Sequence, residues 1–216
     1  MSAPDSLRRW VVVGVVGCGL LWLSIAVGGA INQGYSHGRD YVSALSGRGS
    51  TAAFVGMTGL VGFSSAQLAA GMAFRRLSRT TAVALVTAGA LGFVVAMARI
   101  SCPDGAARCS LDDSGQRDVL DTVHGLGVAG YELFFLVGVV AAAIALLRLP
   151  DLDRNRMRAL ALFMLALASA VTVLNMPEAN PGAMQRLWLA INCAAVLTIT
   201  VTGARQSAQS TSGVVP

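Results

Sequence analysis

Long apolar stretches alternate with short polar segments along the whole chain. A hydrocarbon layer of about 30 Å is crossed by roughly 20 helical residues, and six stretches approach or exceed this length. They cover about residues 10–31, 51–74, 80–98, 119–147, 157–176 and 187–202. The pattern predicts an all-α, polytopic transmembrane bundle of six helices over residues 10–203. A short segment at 1–9 precedes it, and a flexible tail is expected at 204–216.

Charged residues are too scarce to cover a surface in water. Only 12% of the 216 residues are charged and 55% are hydrophobic, whereas about a quarter of a soluble domain is charged. This excludes an ordinary soluble enzyme and a disordered chain. The 16 basic residues are all arginine and give a net charge of +5. Because no basic stripe alternates with aromatic residues, we expect membrane lipids and no nucleic acid as partners.

The arginines predict the orientation of the bundle. If both termini lie on one side, ten of the 16 arginines share that side, namely Arg8, Arg9, Arg75, Arg76, Arg79, Arg148, Arg154, Arg156, Arg158 and Arg205. Basic loops tend to stay in the cytoplasm, so we expect cytoplasmic termini and a location in the bacterial plasma membrane. A cleaved signal sequence is the alternative for the first span, but its apolar run exceeds the roughly 7–15 residues of a signal core.

The four cysteines fall into two pairs. Cys18 and Cys193 lie within spans, where thiols behave as small apolar groups. Cys102 and Cys109 bracket a short loop on the predicted outer side, and its Pro-Asp-Gly sequence favours a turn. An oxidising compartment permits a disulfide between these two cysteines. No histidine stands at metal-ligand spacing from them, so we predict no metal site.

The fourth span holds the largest set of chemically active residues, which are Asp121, His124, Tyr131 and Glu132. Ionisable side chains inside a bilayer are costly and mark functional candidates. At 100° per residue, Tyr131 lies about 20° and Glu132 about 80° from His124, so they share one broad helix face. His124 is a candidate base or ligand-binding group in an outward polar pocket; the alternative is an inert hydrogen bond to a neighbouring helix. Potential partners on other spans are Gln67, Asn175 and Asn192.

Two arginines and one loop segment complete the predicted site. Arg99 closes the third span and Arg186 opens the sixth. A guanidinium group binds phosphate or carboxylate through two parallel hydrogen bonds, so both residues are candidates for holding a lipid head group. Snorkelling of the side chains to the interface is the alternative. The first outer loop contains residues 40–46, Asp-Tyr-Val-Ser-Ala-Leu-Ser, for which we predict a short amphipathic re-entrant turn. No cofactor is predicted.

Four short motifs resemble those of the domain-of-unknown-function 998 family of membrane proteins. They are the segment 40–46, Cys102-Pro103-Asp104 after the third span, His124 near the start of the fourth, and Gly182-Ala183-Met184-Gln185-Arg186 before the last. Their order and their places at outer span ends carry the resemblance, which covers roughly residues 10–203. The resemblance implies a six-helix bundle without an established activity, and an outward-facing cluster of Ser43, Asp104, His124 and Arg186. The cysteine pair 102 and 109 departs from the family pattern and is interpreted as a local cross-link of the loop.

Three functions remain open at this level. The first is a protein that binds a lipid or other amphiphile through Ser43, Arg99, Asp121, His124, Tyr131 and Arg186. The second is a membrane-embedded enzyme acting on a lipid or isoprenoid-like substrate, with catalytic candidates His124, Asp104 and Glu132. The third is a small proton-coupled transporter or transporter subunit, in which Glu132 would carry the proton.

Overall fold

Seven helices form the part of the chain that the computed structural model describes, which comprises residues 3–100, 119–149, 152–176 and 180–211. The helices are α1 (Ala3–Ile31), α2 (Val42–Leu45), α3 (Ala53–Phe74), α4 (Arg79–Met97), α5 (Val119–Leu147), α6 (Leu152–Asn175) and α7 (Pro181–Thr211). All except α2 are long and apolar enough to cross a membrane. The predicted all-α bundle of six spans is therefore confirmed.

The outer surface of the bundle is apolar. Phe54, Leu126 and Leu174 are 83%, 69% and 78% exposed. Several fully buried residues, by contrast, are polar, among them Gln67 and Asn192, which have no exposed surface. This distribution is the reverse of a soluble bundle and suits a protein whose exterior faces lipid chains.

The six long helices form a closed ring. Helix α1 packs against α3 and α7, and the ring continues through α4, α5 and α6 back to α7. Helices α3 and α7 also pack against each other, so they divide the interior. At one end of the bundle, α1, α4 and α6 finish and α3, α5 and α7 begin. The short helix α2 also lies at this end, which we call the α2 end. The opposite end carries most of the arginines.

Several helices extend past the apolar stretches that marked them in the sequence. Helix α6 begins at Leu152 and α7 at Pro181, ahead of the expected starts at 157 and 187. Helix α7 also continues to Thr211, into the segment expected to be a flexible tail. Backbone hydrogen bonding does not stop where the side chains become polar, whereas hydropathy records only the part that fits the hydrocarbon layer. Proline is well suited to the first position of a helix because its missing N–H is not needed there.

Helix α2 differs from the amphipathic turn expected for this segment. All four of its residues, Val42 to Leu45, are buried. The helix rests on α3 with further contacts to α1 and α7, so protein surrounds it on every side. A one-turn helix has no internal partners for most of its backbone groups, and α2 therefore depends on side chains from elsewhere in the bundle.

Glycines allow α1 and α3 to approach closely. A Cβ atom added at Gly17 would overlap the carbonyl oxygen of Gly62, and one at Gly62 would lie 2.9 Å from Leu20 Cβ. A Cβ at Gly59 would overlap the Ser24 hydroxyl. In a bilayer, helix association depends on such close van der Waals contact because lipid removes the hydrophobic drive between helices.

We expect Gly17→Ala to destabilise the bundle by about 1–3 kcal/mol, because its methyl group forces α1 and α3 apart. Thermal unfolding of the purified protein in detergent measures the effect. Gly19→Ala is the matched control, since a Cβ at Gly19 meets nothing within 4 Å. It should leave the unfolding temperature unchanged or slightly raised. Equal unfolding temperatures for the two variants would contradict the close packing.

Candidate functional site

A cavity of about 50 Å³ lies beneath α2, inside the bundle. Its walls come from α2, α3, α4, α5 and α7, and most of them are apolar, as at Val42, Phe63 and Leu189. Its polar wall residues are Ser43, Ser64, His124, Tyr131, Gln185 and Trp188. The structure thus brings two predicted residues of α5, His124 and Tyr131, together with the predicted Ser43.

The ring of His124 is held by the end of α4. Its Nδ1 atom lies 3.1 Å from the carbonyl oxygen of Val95 and 2.9 Å from that of Ala98. These carbonyls belong to the last turn and the cap of α4, where intrahelical partners run out. Because both neighbours are acceptors, Nδ1 must carry the proton, and the neutral ring then has its lone pair on Nε2. His124 is 7% exposed.

Tyr131 joins the cavity to a polar cluster deeper in the bundle. Its hydroxyl oxygen accepts hydrogen bonds from Gln67 Nε2 at 2.5 Å and from Asn192 Nδ2 at 3.2 Å. Its ring stacks on Phe135 with 6.0 Å between centroids and meets the edge of Trp188 at 5.6 Å. These contacts from α3, α5 and α7 fix the position of the phenol group.

Glu132 faces away from the cavity, towards α6 and α7. Ser169 Oγ lies 2.8 Å from its Oε1 atom, and Trp188 donates from Nε1 to Oε2 at 3.1 Å. Ser169 Oγ also lies 2.8 Å from Asn192 Oδ1. The face that the sequence assigned to His124, Tyr131 and Glu132 is therefore divided between two environments. We call the residues Gln67, Tyr131, Glu132, Ser169, Trp188 and Asn192 the polar core.

Arg99 lies outside the cavity wall and binds the backbone after α2. Its Nε donates to the carbonyl oxygen of Ser46 at 2.8 Å, and its NH2 group donates to that of Gly47 at 2.9 Å. On the other side of α2, Gln185 Oε1 accepts from the Val42 amide at 2.5 Å. Side chains from the end of α4 and the start of α7 therefore hold the two ends of α2.

Arg186 also binds the loop before α2. Its NH1 group donates to the carbonyl oxygens of Gly182 at 2.6 Å and Asp40 at 3.2 Å, and its NH2 group donates to the Tyr35 hydroxyl. Its guanidinium carbon lies 5.4 Å from the centroid of the Tyr35 ring, within the range of a cation–π contact. Burial raises the pKa of Tyr35, although the charge of Arg186 opposes this effect. The phenol therefore stays neutral and donates to the Tyr41 carbonyl at 3.3 Å.

The remaining predicted residues lie apart from the cavity wall. Asp121 is half-buried in the first turn of α5, and Asn175 donates to the Val171 carbonyl of its own helix. Cys102, Asp104 and Cys109 lie outside the described residues. Within the described ranges, no three His, Cys, Asp or Glu side chains are grouped as for a metal.

The sequence did not single out Ser169 or Trp188, and it named Gln185 only as part of the motif 182–186, without its hydrogen bond to Val42. Serine is too common in membrane helices to be singled out, and the indole of Trp188 gives no sign of pairing with a carboxyl group on another helix. The pentapeptide 34–38, Gly-Tyr-Ser-His-Gly, matches the Gly-x-Ser-x-Gly pattern of serine hydrolases. It forms turns between α1 and α2, whereas the catalytic motif requires a strand-to-helix elbow.

We expect Arg99→Met to loosen the backbone after α2, because it removes two charge-assisted hydrogen bonds. Such bonds contribute about 1.5–3 kcal/mol each. Hydrogen–deuterium exchange should show faster exchange across residues 42–50. Arg76→Met, at an exposed arginine of the opposite end, should leave exchange there unchanged. Unaltered exchange in Arg99→Met would refute the anchoring role.

Comparison with known proteins agrees with this architecture. No curated protein and no solved structure matches the chain. Residues 15–202 match the family model described as "Protein of unknown function (DUF998)". This match spans α2, all of α3 to α6, and most of α1 and α7, so the residues of the cavity and of the polar core fall within it. The chain therefore belongs to the DUF998 family.

Proposed function

We propose that this protein binds the polar end of a lipid or similar amphiphile in the cavity beneath α2. The observation that carries the proposal is the composition of the cavity wall. Apolar residues from five helices line this space together with a small set of polar residues, among them Ser43, His124 and Tyr131. Binding sites for small molecules combine an apolar lining with a few placed polar groups in this way.

The size of the cavity indicates which part of a ligand enters. About 50 Å³ accommodates roughly three water molecules, whereas sites that enclose a whole ligand measure about 300–1,000 Å³. The cavity therefore suits one terminal polar group, such as a hydroxyl or a carbonyl. The rest of the amphiphile would lie along the apolar helices.

Arg99 and Arg186 are not part of the proposed recognition. Their guanidinium groups are engaged with backbone carbonyls and with Tyr35, so they preserve the loop that roofs the cavity. The proposed ligand is accordingly selected by neutral hydrogen-bonding groups and not by a charged head group. This differs from the head-group role expected of the two arginines from sequence.

We expect Val128→Phe to abolish the binding of a specific lipid, because the added ring fills the cavity that Val128 lines. The full chain is extracted with its surrounding membrane, and retained lipids are identified by mass spectrometry. The wild type should be enriched in one class relative to the bulk membrane. The enrichment should disappear in Val128→Phe.

Leu126→Phe is the matched control, since it adds the same ring to the lipid-facing side of α5, where Leu126 is 69% exposed. It should retain the wild-type lipid profile. An identical profile for wild type and Val128→Phe would reject the binding site.

A membrane-embedded enzyme is the second candidate, and the state of His124 favours it. With Nδ1–H fixed by two carbonyls, Nε2 keeps a lone pair in the neutral ring, as a general base requires. His124 also shares the cavity wall with Ser43, which supports this second candidate. A chemically altered form of the enriched lipid, produced by the wild type and missing with His124→Ala, would identify the enzyme.

We further propose that the protein lies in the bacterial cell membrane with both termini in the cytoplasm. The distribution of arginines supports this orientation, because ten of the 16 lie on the side of the termini. It would place Cys102 and Cys109 in an oxidising compartment, where they would form a disulfide.

Thiol labelling of intact cells tests orientation and disulfide together. A membrane-impermeant maleimide should label the protein only after reduction, and Cys102→Ser/Cys109→Ser should remove the labelling. Cys18 and Cys193 are buried and should not react. Labelling before reduction would exclude the disulfide, and no labelling after reduction would contradict the outer position of the loop.

A further inference from the structure

The hydroxyl group of Ser169 has more acceptors than it can serve. Its oxygen lies 2.8 Å from Glu132 Oε1 and 2.8 Å from Asn192 Oδ1. A serine carries a single proton and can donate to only one of them. Ser169 and Asn192 are fully buried, and an unpaired polar atom there would be costly. Another atom of the polar core must therefore donate to Ser169.

Two arrangements of protons satisfy the contacts among Glu132, Ser169, Asn192 and the Tyr131 hydroxyl. In the first, Glu132 is protonated and donates to Ser169 Oγ, and Ser169 donates to Asn192 Oδ1. The amide NH2 groups of Asn192 and Gln67 then both donate to the Tyr131 oxygen, as in the structure. Because both neighbours of that oxygen are donors, the Tyr131 hydroxyl cannot donate to either of them. Tyr131 lies in the cavity wall, so its proton can point into the cavity.

In the second arrangement, Glu132 is ionised and accepts the proton of Ser169. The Asn192 amide is rotated by half a turn, so that its NH2 group donates to Ser169 and its oxygen accepts from Tyr131. The oxygen and nitrogen of an amide have nearly the same shape, so the rotation leaves the heavy atoms in place. The Tyr131 proton is now used inside the polar core.

Gln67 does not offer an equivalent rotation. Its Oε1 atom is buried without a partner, so one acceptor is unsatisfied in the present orientation. If the amide turned so that Oε1 accepted from Tyr131, the NH2 group would take the buried position that Oε1 now has. Its two N–H donors would then be unpaired. Asn192 is therefore the group whose orientation follows the proton on Glu132.

We propose that Glu132, through Ser169 and Asn192, determines whether Tyr131 presents its proton to the cavity. The inference rests on the proposed function of the cavity and specifies its ligand. A group with an acceptor oxygen, such as the ester carbonyl of a neutral lipid, binds when Tyr131 donates to it. Binding is accompanied by transfer of one proton from water to Glu132 Oε1.

The surroundings of Glu132 leave it free to change its charge. Both of its oxygens contact neutral groups, Ser169 and Trp188. Tyr131 is its neighbour in the chain and interacts with it, and the thiol of Cys193 on α7 in turn interacts with Tyr131. The other charged or titratable groups of the helices packed on α5 lie towards the helix ends, namely Arg79 on α4, Asp153, Arg154, Arg156 and Arg158 on α6, and Arg186 and Arg205 on α7. Within α5, His124 lies two turns away and Asp121 three turns away.

Infrared difference spectroscopy of the full chain in lipid nanodiscs tests the relay without a ligand. As the pH falls, a carbonyl band of a protonated carboxylic acid should appear, and Glu132→Gln should lack it. The band of the tyrosine hydroxyl should change over the same pH range, and Tyr131→Phe should lack that change. Ser169→Ala should retain the acid band but lose the simultaneous tyrosine change.

Ser65→Ala is the matched control, because the Ser65 hydroxyl bonds only to the Val61 carbonyl of its own helix. It should behave as the wild type. An acid band that does not respond to pH, or a tyrosine band that stays constant while Glu132 titrates, would overturn the relay.

Binding of monooleoylglycerol, which has an ester carbonyl, provides the second measurement. Uptake of one proton makes the affinity rise by up to about tenfold for each unit of falling pH. In Glu132→Gln the affinity should be independent of pH, because the glutamine NH2 group donates to Ser169 as the protonated acid does. Wild-type binding without pH dependence would overturn the relay and leave the proposed cavity function intact. Absence of any binding would count against the cavity function, while the infrared titration still decides on the relay.

Discussion

The structure depends on one constraint, which is that a polar atom inside the hydrocarbon layer must find its partner within the protein. At the α2 end this constraint acts on backbone carbonyls, which receive hydrogen bonds from His124, Arg99 and Arg186. Deeper in the bundle it acts on side chains, and Ser169 and Trp188 meet the carboxyl group of Glu132. Polar residues that are rare in the sequence are thus concentrated where helices meet.

Close helix packing and the polar core support each other. The glycines of α1 and α3 bring those helices together, and α3 packs against α7 across the interior. This places Gln67 of α3 within 2.5 Å of the Tyr131 hydroxyl, which Asn192 of α7 also reaches. Hydrogen bonds that join three helices at one atom require that each helix is fixed in its rotation about its own axis and in its depth in the membrane. Van der Waals contact between small residues supplies that fixation without any polar group.

The fold could be predicted from the sequence because hydropathy reports directly on the thickness of the bilayer. Glu132, His124 and Tyr131 could be identified from the cost of polar groups in lipid, but the sequence could not show that they face different surroundings. An angle of about 100° around α5 separates the side chains of Tyr131 and Glu132, and only the positions of α6 and α7 show that Tyr131 faces the cavity and Glu132 faces Ser169. The hydrogen bonds of Arg99 to the carbonyls of Ser46 and Gly47 could not be predicted, because backbone carbonyls carry no sequence signature.

The attachment of α2 has a mechanical consequence. Its first amide is bound by Gln185 at the start of α7, and the carbonyls just after its last residue are bound by Arg99 beyond the end of α4. The short helix is thus a strut of fixed length between α4 and α7. Any molecule too large for the present cavity must lengthen that strut, so the bonds at its two ends limit the width of the entrance.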